Sequence, residues 1–166
     1  MGYPPEGPKR VFRIVSARYP PFDGGGAYRW GSRWVSPGSS VVHAAETFAL
    51  AVLENLVHWQ TGTLPHDLVC VRATIPAEVA QEWTGALDPA ALTSGDYRAA
   101  RRIGDDWYRR REAAVLWVPS VVSPYEANVL FNQRHADFSR IVVEEPVPAH
   151  RMLGCHTAVD GTTVTG

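Results

Sequence analysis

Apolar and polar positions alternate in VFRIV (11–15) and in DLVCVRATI (67–75), the pattern of half-buried strands. In the first, Arg13 points away from its apolar neighbours; the second is stopped by Pro76. SVVH (40–43) predicts a short strand, and AAVLWVP (113–119), ANVLFN (127–132) and SRIVVEE (139–145) predict three more. AAETFALAVLENLVHW (44–59) instead has the period of a helix. Its wheel gathers Thr47, Glu54, Asn55 and His58 into one narrow polar stripe, and the rest of the circumference is apolar. A helix so patterned is mostly buried, with its stripe facing either water or a cleft. Residues 77–83 predict a short helix, 84–96 a loop, and 97–113 an Arg-rich helix interrupted near Gly104. Residues 18–40 are rich in Gly, Pro and Ser yet carry three Arg and two Trp, so they predict an ordered loop rather than a linker. Strands outnumber helices without strict alternation, which gives an α+β fold class.

A chain of 166 residues suits one domain with a real core. Sixteen basic side chains against 17 acidic ones produce no global field for nucleic acid or an anionic membrane. Every basic residue except Lys9 is Arg. Genome base composition accounts for such a bias; the sharper reading is bidentate gripping of phosphate or carboxylate. Cys70 and Cys155 form neither a disulfide framework nor a zinc spacing, so a reducing cytoplasm is the expected setting. No stretch is long and apolar enough to span a bilayer. MGYPPEGPKR (1–10) reads as a loose Pro-rich leader and 154–166 as a fraying tail, leaving 11–153 as the domain.

Glu54 is conspicuous because no Lys or Arg occurs between Arg33 and Arg72. Periodicity alone leaves two readings open: a solvated stripe with His58 as a mild partner one turn on, or a carboxylate lining a cleft.

Read in order, a set of motifs resembles the RES-domain family, the toxin halves of bacterial toxin–antitoxin pairs. They are VFRIV, FDGGGA (22–27), GSRWVSPG (31–38), VVHAAETFALAVLE (41–54), VPSVVSPYEAN (118–128) and NQRHADF (132–138). The resemblance implies a compact domain similar to ADP-ribosyltransferases and diphtheria-type toxins, with NAD as substrate in a cleft between sheets and no metal. It carries the family's functional positions to Arg33, Glu54 and Ser120, with Arg13 as a further cofactor contact. It also implies an antitoxin partner with an Xre-type helix-turn-helix domain, held in a hetero-oligomer or beside self-association, and no direct nucleic-acid binding. The departures are His43 in place of the family's tyrosine, Val35 where Asn is common, and Gln133 where Pro is usual.

The chemistry fits these residue types. Breaking the nicotinamide–ribose bond develops positive charge on the sugar while a cationic leaving group becomes neutral, so no acid is needed to protonate it. One preorganised carboxylate beside the ribose suffices, and Glu54 is the candidate. Arg33 and Arg13 suit a diphosphate, and Gly24 to Gly26 would let backbone approach it. Trp34 or Trp30 could stack on a ring, although core packing accounts for either. Ser120 is assigned an orienting role towards ribose or nicotinamide, with Glu126 and Asn128 supporting its turn. Glu46 aids the helix start. The Arg98–Arg111 run, of mixed sign, reads as a solvated helix face, with antitoxin docking as another use. Hydrolysis or phosphorolysis of NAD leads; mono-ADP-ribosylation of a protein and a silent NAD-binding module are the alternatives.

Overall fold

The computed structural model describes residues 3–58, 65–85 and 95–152. Its strands are β1 (Lys9–Ser16), β2 (Val41–Ala45), β3 (Leu68–Ile75), β4 (Gln81–Trp83), β5 (Val115–Pro119), β6 (Ala127–Asn132), β7 (Val142–Val143) and β8 (Val147–Pro148). Its helices are α1 (Gly25–Trp30), α2 (Phe48–His58), α3 (Arg98–Arg110) and α4 (Ala149–Met152), with a 3-10 turn at Ala136–Arg140. Among the described residues the strands make one mixed sheet in the order β4-β5-β6-β2-β1-β3-β7, with β8 also on β3. β4 and β5 run parallel and the other pairs are antiparallel. This is the α+β architecture that the strand pattern predicts.

The middle of the sheet is buried on both faces because its strands alternate two sets of apolar residues. Val115, Trp117, Val129 and Phe131 fill one core. Leu116, Val118 and Leu130 point into the other, where Ala27, Trp34, Ala100 and Trp107 cover them from α1, its following loop and α3. Farther along, α2 sets Leu50 and Ala51 over Phe12, Ile14 and Ala45.

One junction in the sheet is narrow. β1 pairs with β3 along its whole length, from Lys9 opposite Ile75 to Ser16 opposite Leu68. β2 pairs with β6 along its whole length too. Between β1 and β2 the register holds only Phe12 opposite Ala45. Where these strands part, Arg13 reaches across: Nη1 donates to the His43 carbonyl at 2.7 Å and Nε to the Pro21 carbonyl at 3.0 Å. A side chain thus supplies donors where the ladder ends.

Several sequence expectations are corrected. The helix expected over 44–59 begins only at Phe48, because Ala44 and Ala45 stay in β2 opposite Val129 and Asn128. Thr47 sets the start, its Oγ1 accepting the Leu50 N–H at 3.1 Å. Glu46 does not serve the helix start: it is buried and accepts the Ala127 N–H at 2.9 Å. The expected helix over 77–83 is a turn followed by β4, which gains an edge pairing with β5 and a Trp117 Nε1–Gln81 Oε1 hydrogen bond of 2.8 Å. Tertiary pairing overrides local pattern there. The loop expected over 18–40 contains α1, and of 139–145 only Val142–Val143 pairs as a strand. In the Pro-rich segment Tyr3 stacks on Trp83 at 4.7 Å and donates to Glu46, while Lys9 and Arg10 already belong to β1. Most of the 84–96 loop and all of the 154–166 tail lie outside the described residues.

α3 runs unbroken through Gly104, and the glycine serves a close approach. A Cβ at this position would sit 1.9 Å from the Trp34 carbonyl oxygen. The helix therefore rests directly on the backbone beside Arg33, which a side chain would prevent. Gly104→Ala is expected to cost about 3 kcal/mol in stability, on the scale of core overpacking, measured by urea unfolding. A loss below about 0.5 kcal/mol, the range of a neutral surface substitution, would contradict the contact.

Candidate active site

A cavity of about 600 Å³ opens where β1 and β2 part. Its walls come from β1, the loop after α1, β2, α2, the start of α3 and the turn after β5. Of the residues singled out from sequence, Arg13, Arg33, Trp34, His43 and Glu54 line it. Ser120 does not; it is buried behind Glu54. The two tryptophans separate: Trp34 is 4% exposed and packs in the core, whereas Trp30 is 80% exposed at the cavity mouth. Gly24 to Gly26 are not among the lining residues. Gly24 instead presses on β2, where a Cβ would come 2.4 Å from the Val41 nitrogen.

Glu54 projects from α2 into this space and is held from the β5–β6 side. Ser120 Oγ donates to its Oε1 at 3.0 Å, and Asn128 Nδ2 donates to the same oxygen. Among the described residues no cation pairs with it. The sequence question is answered in favour of the cleft. Ser120 has no spare capacity, since its Oγ also accepts the Val122 and Ser123 N–H groups at 3.2 and 3.1 Å. With both lone pairs engaged it is a poor nucleophile and a good strut. Its turn is braced by Glu126, which accepts from Thr47 and Ser123 hydroxyls.

His43 lies on the cavity floor, with Nε2 3.0 Å from Ser32 Oγ. That hydroxyl already accepts the Trp34 and Val35 N–H groups, so it donates its proton to Nε2. Burial, reinforced by the charge of Arg13 and opposed by a backbone hydrogen bond to Val41, pushes the imidazole pKa from 6.5 down to about 4. It is neutral at neutral pH. Its bond to Ser32 anchors the residue immediately before Arg33. Arg33 lies over the Tyr97 ring at 4.4 Å, and Arg101 lies 5.9 Å from the same ring. Arg101 Nε also donates to the Ser32 carbonyl at 2.8 Å.

The model of the RES domain matches residues 10–153. The chain belongs to the RES-domain family. It is 36% identical over 118 residues to the Prs ADP-ribosylating toxin of Sphingobium sp. (strain YBL2), covering 69% of this chain and 73% of that protein. It is 33% identical over 139 residues to Toxin Res of Pseudomonas putida, covering 81% and 94%. A Toxin Res from Yersinia enterocolitica is 32% identical over 139 residues, covering 77% and 86%. The fold is also that of the M. tuberculosis MbcT-MbcA toxin-antitoxin complex, with a TM-score of 0.70 at 14% identity over 86% of this chain and 84% of that one.

In this RES domain the departures from the family pattern have local partners. Gln133 Oε1 accepts the Gly24 N–H at 2.8 Å and its Nε2 donates to Asp23, tying the Gly-rich segment to the end of β6. Val35 is fully buried in the core that Trp34 shares. Sequence reading missed three site residues. Ser32 sits in the GSRWVSPG motif without a role of its own, and Tyr97 and Arg101 are hidden in a helix of mixed charge. Buried Ala100, Gly104 and Trp107 recur at helical spacing and mark the packed face of α3. That face was the available signal.

The depressed His43 pKa has a stability consequence. The unfolded chain takes up the proton near pH 6.5, whereas the folded chain resists it until about pH 4. Stability from this group is complete above pH 6.5 and is lost as pH falls towards 4, on the order of 3 kcal/mol in all. Urea unfolding of native and His43→Gln proteins across that window should show the native protein losing stability more steeply. Parallel curves would contradict a buried neutral imidazole.

Proposed function

We propose that this RES-domain protein is the toxin of a bacterial toxin–antitoxin pair and consumes NAD by breaking the nicotinamide–ribose bond. The observation that carries the reading is Glu54, a carboxylate on a cavity wall fixed by two neutral donors and paired with no cation among the described residues. Such a group suits a reaction whose transition state is itself a cation. As the C1′–nitrogen bond breaks, its electron pair returns to the nicotinamide ring, which leaves neutral, and positive charge gathers on the ribose. Glu54 stabilises that charge or holds a ribose hydroxyl. Water or phosphate then adds to C1′, giving ADP-ribose or its 1″-phosphate. Ser120 and Asn128 keep the carboxylate from swinging, so little reorganisation is left to the reaction step. Arg33 supplies charge for the diphosphate, and Arg13 contributes the field of a guanidinium whose Nε and Nη1 are already engaged.

A second reading, transfer of ADP-ribose to a protein, draws support from the name of the Sphingobium relative, an ADP-ribosylating toxin at 36% identity. The two share every step up to the ribosyl cation and differ in what adds to it. The proposed neutralising partner is an antitoxin with an Xre-type helix-turn-helix domain, and the solved MbcT-MbcA complex, of the same fold, supports a protein antitoxin. The proposed setting is the cytoplasm, where NAD is available; no helix among the described residues is long and apolar enough to cross a membrane.

Induced expression in bacteria should lower the cellular NAD pool and arrest growth. Glu54→Gln should fold normally yet lose nicotinamide release by about 100-fold or more, the scale of one removed transition-state contact, and should leave growth intact. Persistent toxicity of Glu54→Gln would sink the mechanism. A labelled ADP-ribose adduct on a bacterial protein, with little NAD loss, would favour transfer over hydrolysis.

A further inference from the structure

We propose that Arg101, paired with Arg33 beside Tyr97, is the second half of a diphosphate clamp in this cavity. The inference deepens the NAD reading and rests on it for the identity of the substrate. Sequence reasoning had nominated Arg13 for this place. The geometry assigns the two arginines different work.

A bidentate grip needs two guanidinium nitrogens free to donate side by side. Arg13 spends Nε on Pro21 and Nη1 on His43, holding the diverging strands. Arg101 spends only Nε, on the Ser32 carbonyl, and both its Nη groups are without a partner among the described residues. That bond fixes the plane of the fork and docks it to the residue next to Arg33. The Tyr97 ring lies close to both guanidiniums, at 4.4 and 5.9 Å, and its negative face offsets part of the repulsion between two like charges. The close Gly104–Trp34 contact brings α3 near enough for this arrangement.

Charge argues the same way. Among the described residues, three guanidiniums, Arg13, Arg33 and Arg101, line the cavity with one carboxylate, Glu54, and His43 is neutral. A positively charged lining complements the negative charge of a dinucleotide's diphosphate. Arg102, the next residue along α3, is exposed and does not line this cavity.

The test uses inorganic pyrophosphate and ADP-ribose as probes in calorimetric titrations. Native protein, Arg101→Met and Arg102→Met are compared, the last removing the same charge from outside the cavity. Arg101→Met should bind both probes about tenfold or more weakly, and Arg102→Met should match native protein. Pyrophosphate binding that is absent from native protein, unchanged in Arg101→Met, or weakened equally in both variants would overturn the clamp. Should Arg101→Met not fold, Arg101→Lys carries the test: it keeps the charge without the fork, and at least threefold weaker pyrophosphate binding supports the clamp while native affinity overturns it. Arg101-dependent pyrophosphate binding by a native protein that never consumes NAD would uphold the clamp and fell the NAD reading.

Discussion

The reach of Arg13 across the gap between β1 and β2 is the interaction on which the rest of the molecule depends. The sheet is continuous by a single register pair at this point, Phe12 opposite Ala45. Closing the strands fully would extend the ladder and remove the cavity. Letting them part without compensation would strand backbone carbonyls in a half-buried place. One guanidinium satisfies the His43 carbonyl of β2 and, with its Nε, the Pro21 carbonyl of the loop after β1. Its charge then acts on its neighbours, helping to keep His43 neutral.

Around that gap the site is assembled from opposite sides. From the turn after β5 and the start of β6, Ser120 and Asn128 hold Glu54; one residue before Asn128, the Ala127 N–H is taken by buried Glu46. Glu46 also accepts from Tyr3 and sits 3.7 Å from the Lys9 ammonium, so the N-terminal segment is tied to the strand that positions the carboxylate. From the other side, His43 and Arg101 both bind Ser32, one through its hydroxyl and one through its carbonyl, and so fix the backbone leading into Arg33. The anionic and cationic halves of the site thus rest on separate struts. A lesion in one should leave the other standing.

What could be read from sequence follows from whether the signal was local. β1 and β3 were legible because their alternation is written in consecutive residues, and β5 and β6 because each is a short apolar run. Glu54 was noticed through the absence of nearby bases, and the RES motifs then carried the site to Arg13, Arg33, His43, Glu54 and Ser120. β4 was misread because its partner, β5, lies far along the chain. Gly104 reads locally as an interruption because the backbone it touches, at Trp34, is remote in sequence. Arg101 was lost for a related reason: among many arginines of a mixed-charge helix, only the packing of α3 distinguishes the one that faces the cavity from its neighbour Arg102. At the family's tyrosine position stands His43, which its surroundings keep neutral because burial, aided by the Arg13 charge, lowers its pKa.

The proposed reaction rests on Glu54, strapped by Ser120 and Asn128 and paired with no cation among the described residues, as the group that promotes cleavage of the nicotinamide–ribose bond. A proton NMR time course of purified protein with NAD, run with and without phosphate and beside Ser120→Ala and Asn128→Ala, tests it most directly. Native protein should release free nicotinamide, and removal of either strut should lower the rate, with phosphate dependence naming the acceptor. Release that is absent in both buffers, or indifferent to both struts, would contradict it.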